Sequence, residues 1–123
     1  MRLTENSERA ERPLVWIGSS KKDISALPLP VKGSFGFRLR QMQRGGDPHD
    51  VKALTQFGAG VLELREAFDG NAYRLMVVVK LKKAIYVLHA FTKKSKSGVS
   101  LPKADIVLIR ARLKRAQELD EEE

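Results

Sequence analysis

Four cations, a histidine and a phenylalanine sit in one run of the chain between residues 62 and 96: Arg65, Arg74, Lys93, Lys94, His89 and Phe91. Arginine binds a phosphate through two parallel hydrogen bonds and stays charged at any working pH. A lysine among other cations has its proton affinity lowered and can then serve as a general base. An aromatic ring can stack on an unpaired base. Such a set suits one reaction without a metal. The 2′-hydroxyl of RNA attacks the adjacent phosphate while cations stabilise the negative transition state. On this reading Arg65, Arg74, Lys93 and Lys94 are the catalytic candidates. Phe91, His89, Lys52 and Lys96 are the candidates for holding RNA. Two plainer readings compete: the cations merely solvate the open face of a sheet, and Phe91 belongs to the core.

Other chemistries lack their residues. There is no cysteine, which excludes disulfides and thiolate metal sites. The two histidines, His49 and His89, do not suggest a zinc site, and His49 reads as a solvated loop residue. No carboxylate pair lies on the candidate face for glycosidase chemistry. No phosphate-binding loop of the GxxxxGK[ST] type is present. No cofactor is expected. The net charge is +8, and four of the 15 acidic residues fall in Asp120–Glu123. The body of the chain is therefore more basic than the total suggests, which favours an anionic partner. No stretch approaches the length of a membrane span, so a cytoplasmic location and no membrane partner are expected.

The elements that must position these residues are three runs rich in Val, Ile, Leu, Tyr and Phe, separated by turn-sized breaks. They read as consecutive antiparallel strands. A four-residue loop over Asp69–Ala72 and a two-residue one at Lys82–Lys83 set a register. Arg65 then faces Met76, which faces His89; Ala67 faces Arg74, which faces Phe91. Alternation puts Leu62, Leu64, Phe68, Tyr73, Leu75, Val77, Val79, Tyr86, Leu88 and Ala90 on one face, with Glu66 its one charged exception. The other face takes Glu63, Arg65, Arg74, Met76, Val78, Val87, His89, Phe91 and Lys93. The first face wants helices over it.

Before these strands, Pro13–Gly18 is a short strand candidate. Ser20 can cap a short helix that Pro28 and Pro30 interrupt. Pro30 can open a second helix, with Val31, Phe35, Leu39 and Met42 at helical spacing and Gly45-Gly46 as its stop. Gly33 and Gly36 within it suggest close packing against the sheet. Gly46–Gly60 reads as a loop, with a turn of helix as the alternative within it. After the strands, Ser100 or Leu101 can cap a last helix with Pro102 in its first turn, placing Arg110, Arg112, Lys114 and Arg115 on or near its polar side.

The segment ELREAFDGNAYRLMVVVKLKKAIYVLHAFTKKSKSGVSLPKADIVLIRARLKR resembles the HigB-type, phage-derived branch of the RelE/ParE toxin superfamily. The resemblance runs over about Leu14–Arg115. It implies a toxin that cuts mRNA on the ribosome and is neutralised by a small helix-turn-helix antitoxin. The arginine of the family's LR motif falls on Arg65 and that of its YR motif on Arg74. The basic pair after the last strand falls on Lys93 and Lys94, and the aromatic of HAF on Phe91. Many relatives carry a tyrosine in the C-terminal helix region; this chain has none after Tyr86.

Together these readings predict an α+β, RelE-like fold. Two N-terminal helices pack on an antiparallel-rich sheet of about four strands, and a C-terminal helix follows. A single domain is expected over 13–116, between a disordered tail at 1–12 and an acidic tail at 117–123. The expected function is a type II toxin, a metal-independent, ribosome-dependent mRNA endoribonuclease. Its expected partners are the antitoxin, the ribosome and mRNA. The competing function is a non-catalytic binding module, such as a ParE-like gyrase poison or a phage protein that binds nucleic acid or protein.

Overall fold

The computed structural model describes residues 11–93 and 101–122. Its elements are β1 (Leu14–Trp16), α1 (Ser20–Ser25), α2 (Leu29–Gln43), β2 (Val51–Ala53), a 3-10 turn (Thr55–Phe57), β3 (Val61–Phe68), β4 (Asn71–Val78), β5 (Ile85–Lys93) and α3 (Lys103–Glu121). The fold is α+β, as expected. The sheet has five strands rather than about four, in the order β1-β5-β4-β3-β2. β1 runs parallel to β5 and all other pairs are antiparallel. The additional strand, β2, lies in the stretch expected to be a loop. It is a three-residue edge strand between turn-rich flanks, too short to show a period. No helix among the described residues is long and apolar enough to cross a membrane.

The hairpin between β3 and β4 is tighter than expected. Asp69 and Gly70 both take positive φ, 51° and 80°, the geometry of the two-residue turn that Asp-Gly favours. Phe68 therefore pairs with Asn71 and Arg65 with Arg74, not with Met76. The difference is two residues, so every side chain stays on its expected face. Between β4 and β5 the pairs Arg74–Phe91 and Met76–His89 form as expected. The connection then spans residues 79–84 instead of Lys82–Lys83, which is poor turn material.

A bulge follows Met76, so that Val77 pairs with Val87 and Leu88 is the extra residue. It inverts the first half of β5. Tyr86 and Leu88 pack on the α3 side, and Val87 on the α1–α2 side, the reverse of the expectation. A bulge leaves ladder groups unpaired. Here Arg112 of α3 donates to the Leu88 carbonyl at 2.8 Å and to Ser19 Oγ at 3.0 Å. Gly18, at φ 58°, leaves room for it; a Cβ there would stand 2.8 Å from Arg112 Nε.

Both sheet faces are covered. α1 and α2 bury Ile24, Val31, Phe35 and Leu39 against Leu64, Tyr73, Leu75 and Val77. α3 buries Ile109, Leu113 and Ala116 against Met76, Val78, Tyr86 and Leu88. Gly33 and Gly36 do not serve packing on the sheet: they are exposed, with no heavy atom near a would-be Cβ.

Side chains from both ends of the described residues bind within the fold. Arg12 donates to the carbonyls of Val79, Leu81 and Ala84, holding the connection before β5. Residues 1–10 of the expected N-terminal tail lie outside the described residues. At the other end α3 runs to Glu121, through most of the expected acidic tail. Asp120 is buried and accepts from the amides of Lys82 and Lys83 and from the Tyr86 hydroxyl. Burial alone would raise its pKa, but these donors hold the carboxyl below its ordinary value. Tyr86 is pushed up to about 12, first by burial and then by its bond to Asp120.

Arg38 is fully buried in α2. Its guanidinium donates to Glu66 Oε1 and the Arg65 carbonyl, both at 2.8 Å, and to the His49 carbonyl at 3.2 Å. It lies 5.2 Å from the Phe35 ring centroid. Burial lowers its pKa, while the carboxylates of Glu66 and Asp50 act to raise it. Glu66, the charged exception on the helix-facing side, is thus the counter-ion of a buried arginine, and Ser34 also donates to it.

Removing one partner of a buried pair strands the other charge, at a cost of about 3–5 kcal/mol. Glu66→Ala is expected to lower the unfolding free energy by about that amount in urea titration, and Arg38→Met with Glu66→Leu to recover most of it. A Glu66→Ala chain as stable as the parent would contradict the pairing. A second expectation follows from Tyr86. Its folded pKa lies above the ordinary value of about 10, so its contribution is present below pH ~10 and is lost as pH rises through about 12. Tyr86→Phe should remove that part of the alkaline loss, measured by denaturant titration along pH.

Candidate functional site

The candidate residues lie in three cross-strand rows on the α3 side of the sheet. One row is Lys52, Glu63, Met76 and His89. The next is Arg65, Arg74 and Phe91, and the last carries Lys93 opposite Ala72. Strand alternation puts Arg65, Arg74, Met76, His89, Phe91 and Lys93 on one face, as the sequence predicts. That face is not open throughout. α3 covers Met76, which is fully buried, and reaches His89 with Asp105 of its first turn. The β3 end stays uncovered: Arg65 and Lys52 are exposed, Arg74 and Phe91 half-buried. Lys94 and Lys96 lie outside the described residues.

Each arginine has a carboxylate partner that the sequence reading missed. Arg65 Nη2 is 3.0 Å from Asp50 Oδ1, with both side chains 44% exposed. Arg74 Nε is 3.3 Å from Glu63 Oε2, and this pair is largely buried. The difference decides which cation is available. An exposed pair contributes about 0–1 kcal/mol, so an incoming phosphate can displace Asp50 from Arg65. The Glu63–Arg74 pair is shielded from water, and Arg74 also donates to the Tyr73 carbonyl at 3.3 Å. Glu63 was legible as a same-face neighbour. Asp50 was hidden in a segment read as loop, where it takes φ 56° and its backbone carbonyl accepts from the Arg65 amide at 3.4 Å.

His89 stacks on Phe91 with ring centroids 4.6 Å apart at 19°. Its Nε2 lies 2.9 Å from Asp105 Oδ1. A carboxylate accepts, so Nε2 carries the proton in this contact. Nδ1 is enclosed without a hydrogen-bond partner. Neither nitrogen is presented to a substrate, so His89 anchors the start of α3 and backs Phe91 rather than moving protons. The sequence signal for its partner was weak, one acid in the first turn of the last helix.

The arrangement can hold one phosphate at the exposed Arg65, with the charge of Arg74 directly opposite on β4 and Phe91, half-buried against the core, in the same row. A family model, Phage derived protein Gp49-like (DUF891), matches residues 22–114. That span runs from α1 to α3 and contains every row of the site. The chain belongs to this family. The Gp49-like family is related to RelE-type, toxin-like proteins. No curated protein matches this Gp49-like chain.

In the Gp49-like domain the His89–Asp105 bond ties α3 to β5. A hydrogen bond to a charged group contributes about 1.5–3 kcal/mol. Asp105→Ala should lower the unfolding free energy by about that much and speed amide exchange at residues 103–106. Unchanged exchange there would show that Asp105 does not anchor the helix.

Proposed function

We propose that this Gp49-like chain is the toxin of a type II toxin–antitoxin system, a metal-independent endoribonuclease that cuts mRNA on the ribosome and stops translation. The observation that carries this reading is the row Arg65–Arg74–Phe91, two arginines directly opposite on neighbouring strands with an aromatic ring beside them. The scissile phosphate binds at the exposed Arg65, with Asp50 displaced, and Arg74 on the neighbouring strand adds its charge from behind, still paired with Glu63. The 2′-hydroxyl gives up its proton and its oxygen attacks the adjacent phosphorus. The 5′-oxygen leaves and takes a proton. Charge that grows on the phosphoryl oxygens meets cations already in place. Lys93, in the next row, and Lys94 after it are the proposed proton-transfer groups. Phe91 stacks on a base, backed by His89, and Lys52 and Lys96 are the proposed RNA-holding cations. The proposed partners are the ribosome, mRNA and a helix-turn-helix antitoxin, and the proposed place of action is the cytoplasm.

A second reading is favoured by a specific observation. Both arginines carry carboxylates and His89 presents no free nitrogen. A surface of that kind also suits a non-catalytic module that grips nucleic acid or a protein, as a ParE-like gyrase poison does.

Induced expression with mapping of mRNA ends separates the two. The parent chain should arrest growth and create new 5′ ends within mRNA bound to ribosomes. Arg65→Ala, and Arg74→Ala combined with Glu63→Leu so that no buried carboxylate is stranded, should each lower cleavage by about a hundred- to a thousand-fold, the usual loss for one transition-state donor, with the circular dichroism of the parent. Growth arrest with intact mRNA would turn the assignment to the binding module. Full cleavage by both variants would remove the arginine row from the reaction. RNA binding by the parent should also weaken steeply with salt, since each neutralised phosphate releases counterions.

A further inference from the structure

The outward face of α2 is unusual for a helix on a water-facing surface. Leu29, Gly33, Gly36, Phe37, Arg40 and Arg44 fall on one stripe at helical spacing. Leu29 is 76% and Phe37 64% exposed. Gly33 and Gly36 are exposed, and a Cβ at either would meet nothing within 4 Å. Neither has a positive φ. Glycine is among the most costly residues in a helix interior, and no contact among the described residues requires it at either position. The two glycines leave a shallow bare strip of backbone between a leucine and a phenylalanine. The strip is bordered by cations: Lys32, Arg40 and Arg44 lie on or beside it, and residues 29–44 include no acidic residue.

We propose that this face docks an acidic, amphipathic helix of a partner protein. The partner's backbone approaches over Gly33 and Gly36, where the absence of side chains allows close helix–helix contact. Its apolar residues meet Leu29 and Phe37, which act as anchors. Its carboxylates meet Lys32, Arg40 and Arg44, giving register and a fast, salt-sensitive encounter. A second copy of this chain is disfavoured, because a two-fold contact would set the same cations against one another. RNA would answer the cations but not the exposed leucine and the bare strip beside it. The surface lies across the sheet from Arg65 and Arg74, so it stands whether or not that row cuts RNA.

The test uses the full chain with Phe37 replaced by benzoylphenylalanine, expressed in its own host and irradiated. The cross-linked peptide is sequenced, and the segment it belongs to is made as a synthetic peptide. The expected product joins position 37 to another protein, within a segment that is acidic and has apolar residues at helical spacing. That peptide should bind the parent chain with an affinity that falls as salt rises. Gly33→Leu and Phe37→Ala should each weaken it at least about tenfold. Gly33→Leu should at the same time raise the thermal midpoint of the chain, because leucine is the better helix former. Cross-links to a second copy, to RNA, or to no macromolecule would overturn the proposal. So would undiminished binding by Gly33→Leu, or a lowered midpoint for that variant, which would give the glycine a role inside the domain.

Discussion

The structure turns on a cation that has no water around it. Arg38 cannot shed its charge, so the fold must supply what water would have supplied. Glu66 provides the counter-charge, and the carbonyls of Arg65 and His49 take further donors. These partners come from two places, the end of β3 and the turn before β2. Satisfying Arg38 therefore locks the two together. The residues so fixed are the ones that carry Arg65 and Asp50. The outward-facing arginine of the site is placed, through its own carbonyl, by an inward-facing arginine on the opposite side of the sheet.

A second constraint comes from covering both faces of one sheet with three helices. α1 and α2 need an apolar surface under them, and α3 needs another behind it. The bulge at Leu88 helps to supply the second by turning Tyr86 and Leu88 toward α3. Arg112 fills the hydrogen bond the bulge leaves open. Asp120 closes the far end by binding Tyr86 and two amides of the preceding connection. Polar side chains thus sit at the points where the regular ladder fails, Arg112 and Asp120 reaching there from α3 and Arg12 from the stretch before β1.

Much of this was legible in the sequence, for reasons that can be named. The alternation of β3 and β4 assigned Arg65, Arg74 and Met76 to one face correctly, even though the turn between them was read as two residues too long. The Asp-Gly pair held the true turn. The bulge in β5 left no such mark, and the faces of Tyr86, Val87 and Leu88 were consequently exchanged. Glu66 alone looked like an anomaly on an apolar face; only its proximity to Arg38 explains it. The cations of the site were visible as types. Their carboxylates were not, because Asp50 and Asp105 join the site from turns and helix ends that no periodicity connects to the sheet. The acidic end of the chain read as solvent-loving, and composition could not reveal that one carboxylate in it binds buried donors.

The behaviour of the two hairpins has a consequence for how chains of this kind can change length. A strand that gains or loses a residue exposes what it buried, unless the gain comes in pairs or is absorbed as a bulge. The β3–β4 hairpin has a minimal turn and no irregularity, so in descent it can lengthen only by even steps without inverting a face. The β4–β5 hairpin already carries one odd residue, with Arg112 to receive it and a six-residue connection to take up slack. Single insertions and deletions should therefore collect between β4 and β5, and the spacing from Arg65 to Arg74 should stay fixed while the spacing from Arg74 to Phe91 drifts.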